Sequence, residues 1–184
     1  RQLVERLRTR AHRAVDEMLD RLASRMTAPD APPKLTDLVG AVFQERSAFT
    51  GTLVEALVEH RYGALLAQEV ASCPRCQRRL PVREVRSRTV ETLVGPVTLK
   101  RPYFYCQACQ HSFSPLEEAL GLSPRVKQWD VQHAAAKLAL EMPHERAATL
   151  LQELTDAAMS DGVIHEVVQQ MGQLEVLQVC PSAA

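Results

Sequence analysis

The sequence predicts a mainly α-helical protein with one small β-hairpin, a helical N-terminal arm and helix-turn-helix-like helices towards the C-terminus. Three observations support this fold class. Aromatic residues make up only 4% of the 184 residues, so the core must rest on Leu, Val and Ala, which favours helices. Apolar residues recur at helical spacing in the first and last thirds of the chain. Between residues 72 and 113, by contrast, β-branched and aromatic residues are dense and four cysteines appear.

Residues 1–71 form the predicted helical N-terminal region. Over residues 1–26, apolar positions follow the helical period and basic residues fill the other face, which predicts one amphipathic helix. A linker carrying Pro29, Pro32 and Pro33 follows. We expect helix again over 36–70, with Gly51 and Gly63 as points where it breaks.

Two strands are predicted within residues 72–113. Residues 88–94 (RTVETLV) and 97–105 (VTLKRPYFY) have strand composition. The Gly95-Pro96 dipeptide between them is a turn signal. Together they predict a β-hairpin.

Residues 114–172 return to helical patterns. Ser123 and Pro124 predict the start of a helix that runs to about Glu141. Pro143 begins a second helix, with Leu154 among its inner residues, and Ser160 caps a third. Two short helices joined by a tight turn have the proportions of a helix-turn-helix. Residues 173–184 are predicted to be a linker.

The cysteines carry the clearest chemical signal. An odd total of five argues against a disulfide framework, and four of them form two CxxC pairs, Cys73 with Cys76 and Cys106 with Cys109. Each pair places two thiolates on one tight turn, and the hairpin between the pairs can fold them onto one ion. Four thiolates form the closed tetrahedral shell of a structural Zn²⁺, so residues 72–113 are interpreted as a zinc ribbon.

Other readings of the cysteines remain open. An iron ion accepts the same four-thiolate geometry, and two separate redox CxxC motifs are a further alternative. His111 is interpreted as a non-ligand, because four sulfurs already complete the shell. Cys180 is interpreted as a free thiol. Gln77 and Gln110 follow the CxxC turns, where glycine is common because the backbone there favours positive φ.

Positive charge is concentrated in the predicted ribbon, although the whole chain has zero formal net charge. Residues 72–111 hold eight Arg or Lys residues and two acidic residues. A small basic ribbon with aromatic neighbours suits phosphate contacts, and a solvated surface is the alternative. The candidate DNA-contacting residues of the ribbon are Arg75, Arg78, Arg79, Arg86, Arg88, Lys100 and Arg101.

The predicted helix-turn-helix has the opposite charge. Residues 143–171 contain one Arg and five acidic residues, which would repel phosphates. On the exposed face of the third helix, His165 and Gln169 are the candidates for base contacts, since amides can read adenine. A packing or dimerisation role for these helices is an equal alternative.

The chain resembles the N-terminal half of ISKra-type bacterial insertion-sequence transposases. The resemblance rests on CPRC, RTVETLVGPVTLKRPYFYC and CQACQHSFSPLEEALGL, followed by AAAKLALEMPHERAATLLQELT and SDGVIHEVVQQMG. It implies a zinc-ribbon and helical region that recognises the ends of the element, followed by an RNase H-type catalytic domain that uses two metal ions. The family's metal ligands correspond to the four paired cysteines. Asp156 stands where the resemblance leads us to expect glycine.

These observations predict a non-catalytic, DNA-binding N-terminal fragment of a transposase. The chain begins at Arg1, and we expect residues 173–184 to lead towards a catalytic domain that is absent. The expected partners are the double-stranded terminal repeats of the element, or a second copy of the chain in a homodimer. No apolar run approaches a membrane span, so we expect a cytoplasmic, nucleoid-associated protein without a membrane partner. The alternative functions are a zinc-stabilised protein-interaction module and an iron electron-transfer protein.

Overall fold

A computed structural model describes residues 2–26 and 32–179. The chain divides into two compact units. The first contains the residues up to 90 together with 94–126, and the second contains 91–93 and the residues from 127 onwards. The architecture is mixed α/β, with long helices and two small antiparallel sheets. The domain boundaries predicted at residues 72 and 114 stay predictions.

Two long helices form one side of the first unit. Helix α1 spans Gln2–Met26, which confirms the predicted N-terminal helix, and α2 spans Leu35–Arg61. They pack against each other, and Ala14 of α1 is buried. Glu45 on α2 is buried and receives Nε of Arg21 at 2.5 Å and Nη2 of Arg25 at 2.9 Å. Because these two ion pairs satisfy a carboxylate that has lost its water, they fix α1 against α2.

The prediction that Gly51 breaks the second helix is wrong. Helix α2 runs through Gly51, and the break comes at Tyr62, before the short α3 over Gly63–Leu66. A Cβ at Gly51 would lie 2.2 Å from the carbonyl oxygen of Pro96. The missing side chain thus lets the helix approach a strand closely, which has nothing to do with helix termination.

Five strands follow α3. Strand β1 (Val70–Ser72) pairs antiparallel with β2 (Arg79–Pro81). The second sheet has the order β3-β4-β5, formed by Glu84–Thr92, Gly95–Cys106 and His111–Phe113. The predicted hairpin is confirmed, but both of its strands are longer than the sequence pattern indicated. Its turn lies at residues 93–94, and Gly95-Pro96 already belongs to β4.

Gly95 is required for two reasons. Its φ is 124°, in the region that side chains rarely adopt, and a Cβ there would lie 2.4 Å from the carbonyl oxygen of Ser47 on α2. Gly51 and Gly95 therefore form a reciprocal contact, in which each glycine receives the backbone of the other element. Beside this contact Val90, Val97 and Leu99 form a small buried cluster.

Strand β4 changes its buried face along its length. Near the turn the buried residues are Gly95, Val97 and Leu99, whereas near the cysteines they are Pro102, Phe104 and Cys106. In a regular strand, alternate residues share one face, here Val97, Leu99, Arg101, Tyr103 and Tyr105. That face is buried at its first two positions, and it is only half-buried at Arg101, Tyr103 and Tyr105. A short helix α4 (Pro115–Ala119) follows β5, with Leu116 buried.

The second unit is helical. It contains α5 (Trp129–Glu141), α6 (His144–Thr155) and α7 (Asp161–Val179). Its core includes residues from all three helices and from the segment between α6 and α7, namely Val131, Ala135, Ala147, Leu151, Ala157, Met159 and Ile164. Ser160 precedes α7 as predicted, and its Oγ accepts from the N–H of Val163 at 3.4 Å.

Three expectations about this part of the chain are wrong. Helix α5 begins at Trp129 and not at Ser123, because Gln128 is extended and donates its N–H to the carbonyl oxygen of Glu91 at 2.9 Å. Leu154, predicted to face inwards, has 57% of its surface exposed. Residues 173–179 continue α7, where we expected a linker, while residues 180–184, including Cys180, lie outside the described part of the chain.

Candidate metal centre and its basic surroundings

The four paired cysteines meet at one point in the first unit. The Sγ atoms of Cys73 and Cys109 lie 3.4 Å apart, those of Cys76 and Cys106 3.5 Å, and those of Cys76 and Cys109 3.8 Å. All four sulfurs lie within 4.8 Å of one another, and all four cysteines are free of disulfides. The sequence prediction that the two CxxC pairs converge is confirmed.

The sulfur separations fit a tetrahedral ion. An ion that binds four thiolates at about 2.3 Å separates its ligands by roughly 3.8 Å, close to the distances found here. Disulfide bonding is excluded as the reason for the cluster, because bonded sulfurs lie about 2.05 Å apart. The four cysteines could therefore hold one metal ion with a closed shell of sulfur.

Each CxxC turn owes its shape to its backbone. The N–H of Cys73 donates to the carbonyl oxygen of Arg78 at 2.9 Å, and the N–H of Gln77 donates to the carbonyl oxygen of Cys73 at 2.9 Å. Gln77 has a φ of 59° and Gln110 has a φ of 50°. The positive φ expected after each pair is therefore present, although glutamine occupies a conformation that glycine adopts at lower cost.

The cluster lies between the core and the solvent. Cys73 and Cys106 are fully buried, whereas Cys109 is half-buried and Cys76 is exposed. Beneath it Phe104 stacks on Phe113 at 5.5 Å between ring centroids. The ring of His111 packs on Phe113, and His111 is not part of the cysteine cluster.

The thiols cannot all ionise easily on their own. The backbone N–H of Cys109 donates to the Cys106 sulfur and, with the neighbouring sulfurs, lowers the pKa of that thiol to about 6. Burial and the three other sulfurs raise the pKa of Cys109 to about 12. The first thiol ionises readily, and the negative charge of its thiolate then opposes ionisation of the next thiol. A divalent cation among the sulfurs would remove this opposition, so that the cluster suits a cation by its charge as well as by its shape.

Two of the predicted DNA-contacting residues have protein partners. Nη1 of Arg88 and Nε of Arg101 contact the same carboxylate oxygen of Glu117, at 2.5 and 2.8 Å. Arg88 also donates to the carbonyl oxygen of Ser123 at 2.6 Å. Both arginines are largely buried, with 21% and 11% of their side chains exposed. They fix α4 and the segment after it to the hairpin.

The other predicted basic residues are exposed. Arg75, Arg78 and Arg79 surround the first CxxC turn, and neither they nor Lys100 form an ion pair with a described residue. Arg86 pairs with Glu84 at 2.6 Å and lies over the ring of Tyr103. Arg83, which was not among our candidates, is exposed beside Tyr105 with its guanidinium carbon 5.3 Å from the ring centroid. Tyr105 lies 22 residues after Arg83 in the sequence, so only the fold reveals this pair.

The two candidates in the second unit lie on the exposed face of α7. Nε2 of Gln169 and Nε2 of His165 are 2.9 Å apart, and the ring of His165 lies 5.4 Å from that of His144. Asp156, which stands in the turn before α7, adopts a φ of 61°. The turn therefore takes the left-handed conformation that glycine would supply.

A family model matches residues 33–180, which is most of the chain. The chain belongs to an uncharacterised protein family, UPF0236. The match covers α2, the cysteine cluster and the three helices of the second unit. No curated protein matches the sequence. Among the helices described for this UPF0236 member, none has the length and hydropathy to span a bilayer.

Proposed function

We propose that this chain is the zinc-stabilised, DNA-binding part of a transposase similar to the ISKra type, and that it recognises the terminal repeats of its element. In this proposal the chain performs no strand transfer itself and acts on the bacterial nucleoid in the cytoplasm. The observation that carries the proposal is the group of unpaired arginines, Arg75, Arg78 and Arg79, on the rim of a four-sulfur site.

Zn²⁺ is the ion that fits the site best. Four thiolates with no open position are typical of structural zinc, and the two CxxC turns joined by a hairpin have the form of a zinc ribbon. The site would hold the first CxxC turn against β4 and β5, and so would fix the arginines on that turn. Metal analysis of the purified chain tests this, with one zinc per chain expected. A red protein with visible absorption would instead indicate iron.

The arginines suit a phosphate backbone. Four thiolates and one Zn²⁺ carry a charge of −2, and the three arginines of the first turn exceed it. Because none of the three pairs with a described carboxylate, phosphates do not have to displace a protein partner. Arg88 and Arg101 are left out of the proposed interface, since Glu117 already holds them.

Fluorescence anisotropy with labelled terminal-repeat duplexes, at several salt concentrations, tests the DNA contact. Replacing Arg75, Arg78 and Arg79 by Gln should lower the slope of log affinity against log salt by about 0.9 for each lost phosphate contact. Arg13→Gln is the matched control, since Arg13 is exposed on α1 and away from the metal site. An unchanged slope in the triple variant would refute the interface, and equal affinity for a scrambled duplex would refute end recognition.

Helix α7 supplies the base contacts in this proposal. His165 and Gln169 are exposed and could reach base edges, but contact between them must break before the amide can pair with adenine. Replacing Gln169 by Ala should reduce the preference for terminal repeats over scrambled duplex if α7 reads bases. An unchanged preference would assign α6 and α7 to packing or dimerisation.

A second candidate function is self-association, and one observation favours it. Apolar residues on the first half of α2 leave an exposed stripe of Leu35, Val39 and Val42, with Leu38 and Phe43 at its border. Sedimentation of the wild type and Val39→Lys over a range of concentrations tests this. A dimer that the substitution dissociates would support the interaction module, and a monomer throughout would remove it.

A further inference from the structure

Two tyrosines on β4 form a short aromatic row beside the metal site. Tyr103 and Tyr105 are alternate residues of the strand, so they point to the same side, and both are half-buried. Each has a guanidinium near its ring. The guanidinium carbon of Arg86 is 3.8 Å from the Tyr103 centroid, and that of Arg83 is 5.3 Å from the Tyr105 centroid.

A groove of about 640 Å³ opens next to Tyr105. It is lined by parts of β2, the residues after it and the second CxxC turn, namely Arg78, Leu80, Pro81, Val82, Arg83, Tyr105, Cys106, Gln107 and Ala108. The lining contains two arginines and no carboxylate. Neither Arg78 nor Arg83 forms an ion pair with a described residue. The groove therefore combines an aromatic face with two cations that form no ion pair with a described residue. This combination complements an anionic ligand with a flat ring.

We propose that this groove, which we call the tyrosine groove, binds unpaired nucleotides of a single DNA strand. One base stacks on Tyr105, and the phosphates on either side contact Arg78 and Arg83. The next base lies at Tyr103, on the Arg86 guanidinium that covers that ring. This inference rests on the DNA binding proposed above, and it assigns the strand form that the groove accepts.

The spacing of the tyrosines favours a single strand over a duplex. Alternate residues of a strand are about 6.8 Å apart, at roughly 3.4 Å per residue. Stacked nucleotides in one strand of a duplex repeat every 3.4 Å, and their faces are covered by their neighbours. Bases that lie on both tyrosines must be unstacked and splayed, as they are in single strands on aromatic platforms. Recognition through ring faces also demands no particular sequence.

The test compares three fluorescein-labelled probes on the zinc-loaded full chain. They are a 15-nucleotide thymidine strand, a 15-base-pair duplex of the terminal-repeat sequence, and the same duplex with a five-nucleotide thymidine tail. The wild type should bind the tailed duplex more tightly than the blunt one. Tyr105→Leu should weaken binding of the single strand and of the tail by about 5- to 100-fold, the loss that removal of one base–aromatic stack gives.

Tyr105→Phe is the matched control, because it keeps the ring and should bind every probe within about twofold of the wild type. Metal content and circular dichroism show whether Tyr105→Leu is folded. If Tyr105→Leu is not folded, Arg83→Gln is tested in its place. Arg83→Gln should weaken binding of the single strand and of the tailed duplex, and leave binding of the blunt duplex unchanged.

The outcomes separate this inference from the proposed function. Blunt-duplex binding with no gain from the tail overturns the tyrosine groove and leaves duplex recognition intact. Binding of the single strand alone supports the groove and overturns duplex recognition. Binding of none of the probes overturns both. Single-strand binding that folded Tyr105→Leu, or Arg83→Gln in its place, leaves unchanged also overturns the groove.

Discussion

The contact between α2 and β4 makes a quantitative prediction about Gly51. Replacing it with Ala places a Cβ 2.2 Å from the carbonyl oxygen of Pro96, whereas real Cβ atoms stay at least 3.0 Å from such an atom. The helix and the strand must therefore separate by about 0.8 Å, the difference between those two distances. Both contacting groups lie on regular backbone, so that no flexible side chain can absorb the shift.

The expected cost follows from two opposing effects. Overpacking of this kind destabilises by up to about 3 kcal/mol. Alanine in place of glycine within a helix recovers about 1 kcal/mol. Gly51→Ala should therefore lower the free energy of unfolding by roughly 2 kcal/mol. Gly40→Ala in the same helix is the control, since nothing lies within 4 Å of its added Cβ, and it should raise that free energy by about 1 kcal/mol.

Hydrogen exchange measured by mass spectrometry on peptides from α2, in zinc-saturated protein, isolates this helix from the second unit. Urea unfolding followed by circular dichroism gives the matching free energies. The two variants should differ by about 3 kcal/mol, with faster exchange in Gly51→Ala. If Gly51→Ala is as stable as Gly40→Ala, the reciprocal glycine contact does not exist and the packing of α2 on β4 is wrong.

Three further predictions concern the site and its support. Cys76→Ser should abolish stoichiometric metal binding and remove hydrogen-exchange protection from residues 70–113. The reason is that the free energy of metal binding stabilises the fold of so small a segment. A hairpin that stays protected in the metal-free variant would contradict this. Glu117→Gln should destabilise the first unit by about 2 kcal/mol in urea unfolding, because it removes the carboxylate that pairs with Arg88 and Arg101. Glu118→Gln, at an exposed position of α4, is the control. Equal stability of the two variants would show that the shared carboxylate does not stabilise the fold. Gln110→Gly should raise the free energy of unfolding by about 1 kcal/mol, and Gln110→Val should lower it by a similar amount, because only glycine adopts a φ of 50° without strain. Thermal unfolding of the two variants measures this, and the opposite order of stability would refute the left-handed turn.

Local patterns in the sequence were sufficient to predict the cluster of four cysteines. The paired spacing of the four cysteines predicts their convergence, since each pair needs only one tight turn and the hairpin between them supplies the return. The positive φ at Gln77 and Gln110 also followed from the CxxC turn, even though the residue type argues against it. Helix α1 was predicted for a similar reason, because its amphipathic period extends over its whole length.

Features that depend on distant contacts were missed. Gly51 was read as a helix break because its role depends on Pro96, which is distant in sequence. The segment before Trp129 is extended because Gln128 bonds to Glu91, and no local pattern indicates this bond. Arg88 and Arg101 were counted with the exposed cations because their shared partner, Glu117, follows the second cysteine pair. Sequence charge alone cannot distinguish a buried ion pair from a free cation.

The unequal burial of the four sulfurs would affect how an ion bound to them exchanges. Cys73 and Cys106 face the core, whereas Cys76 is exposed at the surface. A chelator would therefore approach from the side of Cys76 and the half-buried Cys109, and it would displace the Cys76 sulfur first while the two buried sulfurs stay bound. Because this step opens one turn and leaves the sheets intact, we expect the ion to exchange faster than the first unit unfolds. The bound ion would then be required for a stable fold, and a competing thiol could still remove it before the first unit unfolds.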